Sequence, residues 1–305
     1  MTQGVDTSRR PAIVAALVAA MLTVAKLIIG VATGSLAVLA TAVDSLMDLT
    51  CSGLNVFFLG LARKPPDEEH RFGHGKAEAL SGVIQATIIA MGGLFLAGHS
   101  VQELLTLSMV RSTAPGIVVS VISIPISLAL GLYLRHQARR LASVALRADA
   151  FHYLTDVGTS AVAAAALVVV RVTGVDAWDP LGSLAISAYI VIEAIRILKE
   201  AADELLDRGL PPSFESEVGD VIVSLGDDVL GFSDLRTRRS GKTIFIELRL
   251  RLDGEISFNR SHALTEDLIG RLRRRFGAST QVMIDTDPVD RTERQVPGAR
   301  RRDPG

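Results

Sequence analysis

The sequence predicts an all-α bundle of six transmembrane helices followed by a small α+β ferredoxin-like (αββαβ) domain, and three observations carry that prediction. Apolar residues make up 49% of the 305 and mean hydropathy is +0.36, more than an ordinary soluble domain of this length carries. Charge is unevenly spread: residues 1–200 hold 15 Lys/Arg and 14 Asp/Glu against 17 and 19 in the last 105, so its density roughly doubles where the apolar part ends. Apolar runs fall at 11–32, 36–62, 78–105, 113–134, 143–172 and 178–200. Each is long enough to cross a hydrocarbon core of about 30 Å, which takes roughly 20 helical residues.

The first run follows Arg9 and Arg10 and begins like a signal peptide. It is too long for a signal h-region and further runs succeed it, so it reads as the first span. Six spans bring the chain back to its starting side. Arg63, Lys64, Arg71 and Lys76, then Arg135, Arg139, Arg140 and Arg147, then Lys199 share the face of Arg9 and Arg10, whereas the opposite loops carry only Arg111 and Arg171. Cytoplasmic loops retain the excess of Lys and Arg, so the bias predicts a multi-pass protein of the inner (plasma) membrane with both termini cytoplasmic. The chain then divides into a cytoplasmic N-terminal segment (1–10), a six-span domain (11–207), a soluble cytoplasmic domain (208–288) and a disordered tail rich in Arg, Pro and Gly (289–305).

After the sixth span the pattern is that of a soluble domain. Pro211 and Pro212 open a helix that runs through Leu225. Strands are expected at Leu230–Ser240 and Thr243–Leu252, joined by a turn at Gly241 and Lys242; the second alternates Ile244, Ile246, Leu248 and Leu250 with Glu247, Arg249 and Arg251. A helix over Phe258–Phe276 gathers Leu264, Leu268, Ile269 and Leu272, and a short strand at Thr280–Ile284 closes the domain. The order αββαβ is what suggests the ferredoxin-like class.

Several functions are excluded. A net charge of −1 leaves no basic surplus for a nucleic-acid partner. Cys51 is the single cysteine and lies within a span, which rules out a disulfide framework and a thiolate metal site and leaves it a packing role. No P-loop, nucleotide-binding glycine loop or nucleophile with a matched base is present, so no enzyme activity and no bound cofactor are expected.

Function is concentrated in four side chains inside the apolar runs: Asp44 and Asp48 in the second, His152 and Asp156 in the fifth. Each ionisable group near a bilayer centre costs about 2.5–3.5 kcal/mol on insertion scales, so such groups signal a partner or a function. Both pairs are spaced i, i+4, which puts their side chains on one helix face. At 1.5 Å per residue Asp44 and Asp48 lie about 12 and 18 Å from one face, and His152 and Asp156 about 14 and 20 Å from the other, so the two pairs meet near the midplane. Three carboxylates and an imidazole suit a divalent cation; His152 biases the set toward Zn²⁺, with Fe²⁺, Co²⁺, Mn²⁺ and Cd²⁺ also compatible. Metal and protons compete for such ligands, so Zn²⁺/H⁺ antiport follows as the expected mechanism, protons being the counter-ion. A second group, Asp67, His70 and His74, lies between spans two and three, where His-x3-His sets two imidazoles one turn apart if the segment is helical; a solvated polar loop is the alternative.

Three stretches also carry a resemblance: AVDSLMDLTCSGL from Ala42, PPDEEHRFGHGKAEAL from Pro65 and RADAFHYLTDVGTSA from Arg147. Together, over nearly the whole chain, they resemble the cation diffusion facilitator family. The resemblance implies a homodimeric exporter of divalent metal coupled to inward proton movement, close to its zinc and ferrous-iron members. It makes Asp67, His70 and His74 a cytoplasmic-side metal site and pairs Lys76 with Asp207 in a salt bridge. It also implies histidine-rich metal binding in the soluble domain, from which this sequence departs: Ser233 and Arg249 stand where imidazoles are expected and Asp285 replaces another, leaving His262, Asp285 and Asp287 as the reduced candidate set. Rival readings are export of Fe²⁺ or Mn²⁺ and a membrane-anchored metal sensor or scaffold without flux.

Other polar residues fall in the spans. His99 and Glu103 repeat the i, i+4 spacing near the outer end of span three and read as interfacial. Lys26 is either a snorkelling lysine or a carboxylate partner, and Asp149 either relays protons or caps span five. Gly82, Gly92, Gly93 and Gly98 suit close helix packing.

Overall fold

The computed structural model describes residues 9–33, 36–106, 114–175 and 177–290; Arg111 and the expected tail from 291 onward lie outside the described residues. Its contacts divide the chain into two units, Met1–Ala202 and Asp203–Gly305.

Among its described residues the first unit holds six long helices, the last of which ends past Ala202: α1 (Arg9–Thr33), α2 (Leu36–Leu61), α3 (Ala77–Thr106), α4 (Ala114–Leu141), α5 (Val144–Thr173) and α6 (Trp178–Leu205). In lipid a backbone must satisfy its own polar groups, and a helix does so within one segment. Over their described residues α1, α3 and α6 are long and apolar enough to cross a bilayer. α4 and α6 run past the apolar stretches expected at 113–134 and 178–200, because helical hydrogen bonding continues through Arg135–Arg140 and Lys199–Leu205 after hydrophobicity ends. The Ser143 hydroxyl accepts from the Leu146 amide and caps the start of α5, while Gly174, at φ 71°, closes its end with an amide bond to the Val170 carbonyl. Asp149 is therefore not the cap.

α5 runs through the middle of the unit. On one side Ala145, Leu146, Ala150 and Tyr153 pack with Ala12 and Ala15 of α1, Leu59 of α2 and Leu130 and Leu134 of α4. On the other, Val144 and Ala148 pack with Ala86 of α3 and Ile197 and Ala201 of α6. Alanine at these contacts lets backbones approach closely, the usual source of helix association in lipid. Leu17, Met21, Phe57, Phe95 and Ile195 are exposed, as lipid-facing residues are. Gly93 shows how tight the seam is: a Cβ there would stand 2.9 Å from Val191 Cγ2 and 3.0 Å from Ile190 Cγ2. Gly93→Ala is expected to destabilise by about 1–3 kcal/mol through overpacking. The check is thermal unfolding of the detergent-purified protein, and an unchanged transition would show that α3 and α6 part without cost.

The second unit holds α7 (Pro212–Val223), β1 (Val229–Ser240), β2 (Thr243–Asp253), α8 (Phe258–Phe276) and β3 (Gln281–Val289). The sheet order is β1-β2-β3, with β1 antiparallel to β2 through Gly241 (φ 57°) and β2 parallel to β3 across α8. A parallel pair needs such a crossover. Leu264, Leu268 and Leu272 of α8 and Val218 and Ile222 of α7 bury Ile246, Leu248, Leu250 and Leu252 of β2. The opposite face of β2 is not wholly solvated, since Phe245 is 5% exposed beneath the Arg238 guanidinium, 4.2 Å from the ring centroid.

β3 extends five residues beyond Ile284, the end expected from sequence. Its polar second half, Asp285-Thr286-Asp287-Pro288, hides it in a hydrophobic pattern, yet an edge strand tolerates acids and proline because one backbone edge needs no partner. The longer strand puts Asp285 opposite Arg249 and Asp287 opposite Arg251.

Candidate metal centre

α2 and α5 meet with Asp48 facing His152: Asp48 Oδ1 and His152 Nε2 are 2.8 Å apart, and both side chains are 21% exposed. Asp156 joins them, and one ligand atom from each of the three lies within 4.8 Å of the others. The i, i+4 spacing on α5 sets His152 and Asp156 on one face, and that face meets Asp48 of α2. Asp44 stands on α2 one turn before Asp48, and its side chain lies outside the described residues.

A cavity of about 700 Å³ opens onto this group, lined by Lys26, Ser45, Asp48, Cys51, His152 and Asp156 among others. Lys26 does not snorkel: its Nζ donates to Ser45 Oγ at 2.7 Å. The Thr23 hydroxyl donates to the Ser45 carbonyl at 2.8 Å, tying α1 to α2 three residues before Asp48. Cys51, expected to serve only packing, lines the same cavity and is itself buried. Thr159 and Ser160 donate to the Asp156 carbonyl at 3.0 and 2.8 Å. The two carboxylates and the imidazole thus stand on helices whose packing and hydrogen bonds hold them, facing a cavity inside an apolar bundle.

Asp67, His70 and His74 also converge, in a loop of turns and not on the helix that the His-x3-His spacing would suit. The Asp67 carboxylate accepts the His70 amide at 2.6 Å, and Gly73, at φ 80°, turns the chain with its amide on the His70 carbonyl at 2.9 Å. That turn needs the left-handed conformation glycine permits. It brings His70 Nδ1 and His74 Nε2 each 3.4 Å from an Asp67 oxygen, with the imidazole centroids 4.5 Å apart. The His74 Nδ1 is buried and has no hydrogen-bond partner among the described residues. The His70 amide holds the Asp67 carboxyl below its ordinary range, with the two imidazoles adding to the effect. A lowered value keeps the carboxylate ionised, and the turn it holds intact, as pH falls toward that range; the contribution disappears only in stronger acid.

The reduced soluble-domain set is not brought together. Asp285 is taken by Arg249, whose Nε lies 3.2 Å from its carboxylate and whose other end reaches Asp234 at 3.3 Å. His262 is exposed on α8, and His262, Asp285 and Asp287 do not converge to ligand distance among the described residues. The cause is the parallel register, which sets each of these acids against an arginine of β2. Asp207 pairs with Arg238 at 3.3 Å, and His99 lies 3.7 Å from Glu103, away from either metal-capable group.

One set of residues escaped the sequence reading: Ser52, Asn55, Ser81, Gln85 and Tyr153, buried around Asp149. The signal was available on α2, where Asp48, Ser52 and Asn55 continue the stripe of Asp44 at steps of four, four and three.

Known proteins place the chain. The cation efflux transmembrane domain matches residues 12–206, and the cation efflux protein cytoplasmic domain matches 210–289. A cation-efflux pump FieF of Cronobacter sakazakii is 37% identical over 279 residues, covering 92% of either chain. That of Serratia proteamaculans is 38% identical over 277 residues, 91% of either chain. Two matched domains in order, over relatives of nearly the same length, make this protein a member of the cation efflux family.

Proposed function

We propose that the protein exports divalent metal, Zn²⁺ above all, from the cytoplasm by alternating access in exchange for protons. In this reading all six long helices cross the inner membrane, both termini are cytoplasmic, and two copies join through soluble domains of ferredoxin-like type. The cargo site is Asp44, Asp48, His152 and Asp156; Asp67, His70 and His74 hold metal at the cytoplasmic side. The observation that carries the reading is the meeting of Asp48, His152 and Asp156 at one cavity inside an apolar bundle. The names of the relatives, cation-efflux pumps, supply the direction of transport.

Imidazole and carboxylates without thiolate favour Zn²⁺ and accept Fe²⁺, Co²⁺ or Cd²⁺. Metal requires the carboxylates ionised and the imidazole neutral, so a proton arriving at the site weakens its hold on the ion and a departing proton restores it. Alternating exposure turns that competition into exchange.

The test is metal accumulation in proteoliposomes. Zn²⁺ is expected to move faster into the compartment that is the more acidic, since protons leave it as metal enters. Indifference to the gradient would remove the proton coupling. Saturable binding without accumulation would make the protein a sensor, and preferential uptake of Fe²⁺ or Mn²⁺ would change the cargo.

A further inference from the structure

Beyond the metal ligands the α2/α5 interface continues toward the end of the bundle where α2 finishes at Leu61 and α5 begins at Val144. Asp149 lies there, 0% exposed. Its carboxylate accepts from Ser52 Oγ at 3.3 Å and from Asn55 Nδ2 at 3.2 Å, neither of them a cation. The Ser52 hydroxyl is also 3.0 Å from that of Tyr153, and Asn55 Oδ1 accepts from Ser81 Oγ at 3.3 Å, which in turn accepts from Gln85 at 3.0 Å. Ser52, Asn55, Ser81 and Gln85 are all 2% exposed or less. A sealed polar knot therefore joins α2, α3 and α5.

Two features set this knot apart from ordinary packing. It continues the ligand faces, since Ser52 follows Asp48 by one turn on α2 and Asp149 precedes His152 by one turn on α5. It also borders the closed side of the site: Asp48, Cys51 and His152 line the cavity, whereas Ser52, Asn55 and Asp149 do not. A plug needed only for closure would be apolar, like the adjoining Leu59, Leu134 and Leu146. Burying a carboxylate among neutral donors is the costlier choice, and it suits a group that serves another conformation.

We propose that Asp149, with Asn55 and Ser52, is a transient divalent-cation station on the closed side of the central site, reached when the α2/α3/α5 knot opens. The station offers a carboxylate, an amide carbonyl and a hydroxyl, hard oxygen donors without an imidazole. Such a set holds a divalent ion loosely beside the imidazole-bearing site and passes it on toward His152 and Asp48. The proposal rests on the export reading above.

Full-length protein in vesicles tests it. Asp149→Asn keeps the shape and the capacity to hydrogen-bond while removing the charge; Asp149→Glu keeps the charge. Zn²⁺ flux is expected to fall by about tenfold or more in Asp149→Asn. Equilibrium Zn²⁺ binding at the central site and thermal unfolding should stay as in the wild type, and Asp149→Glu should recover part of the flux. Wild-type flux in Asp149→Asn, or equal loss in both variants with a lowered unfolding temperature, would reduce the knot to packing and overturn the proposal. A second measurement uses Asn55→Cys in a Cys51→Ala background with a membrane-impermeant thiol reagent. Modification from the Leu61 end, slowed by Zn²⁺, supports the station; absent modification, or modification indifferent to Zn²⁺, sinks it. A wild type that binds Zn²⁺ without moving it would defeat the export reading alone, and the labelling would still decide the station.

Discussion

Asp48→Ala is expected to lower Zn²⁺ flux by about 100-fold or more and to cost the central site most of its affinity. Loss of a group that merely supports a metal ligand commonly costs 10–100-fold, and in the proposed site Asp48 is itself a donor, so the upper end of that range is about the least its loss should do. Its carboxylate oxygen lies 2.8 Å from His152 Nε2, so the substitution also leaves the imidazole without the partner that orients it. The cavity beside it would gain volume and lose charge while Lys26 stays in the same wall. Calorimetric Zn²⁺ titration and vesicle uptake, run side by side, separate loss of binding from loss of movement. Uptake at wild-type rate would remove the α2/α5 meeting point from the transport path, and the proposed function with it.

Leu268→Ala is expected to have the largest effect on stability, about 2–5 kcal/mol, the range for removing a buried leucine and leaving a cavity. Leu268 is 0% exposed, between Leu264 and Leu272 on the inner face of α8. That face lies against the parallel β2/β3 pair that α8 itself connects. Since a domain is stable by only about 5–15 kcal/mol, the loss is a large share of the total. Denaturant unfolding of the full chain, followed by a probe in the soluble unit, should show an earlier transition there. A shift under about 1 kcal/mol would mean that the leucine layer repacks around the gap. The exposed Asp267–Arg271 pair on the same helix, 2.7 Å apart, should contribute little by comparison, because water and salt screen it.

Much of the fold was legible because periodicity survives tertiary context. α8 was read from its 3.6-residue pattern with both ends correct, since Ser257 caps its start and Gly277 follows Phe276. The end of β3 was not legible: an edge strand is held by backbone pairing to β2, and nothing in Asp285-Thr286-Asp287-Pro288 shows which backbone lies alongside. The same blindness explains the soluble-domain set, where whether Asp285 faces a metal ion or a guanidinium depends on register. The loop group met for a reason the sequence argument did not use, a glycine turn in place of a helix. Asp149 was seen but not placed, because the sequence cannot reveal that Ser52 and Asn55 are its neighbours.

By itself the sequence determined which residues are ionisable within apolar helices, and that Asp48 shares a helix face with Asp44 and His152 with Asp156, because hydrophobic run length and the i, i+4 step are local properties. Tertiary structure alone decided which faces meet: that α2 turns Asp48 onto His152, that Lys26 and Cys51 border the same cavity, and that Asp149 lies sealed beyond them. Those outcomes depend on how small residues such as Ala145, Ala148 and Gly93 let neighbouring helices approach, a sum of many weak contacts between distant parts of the chain.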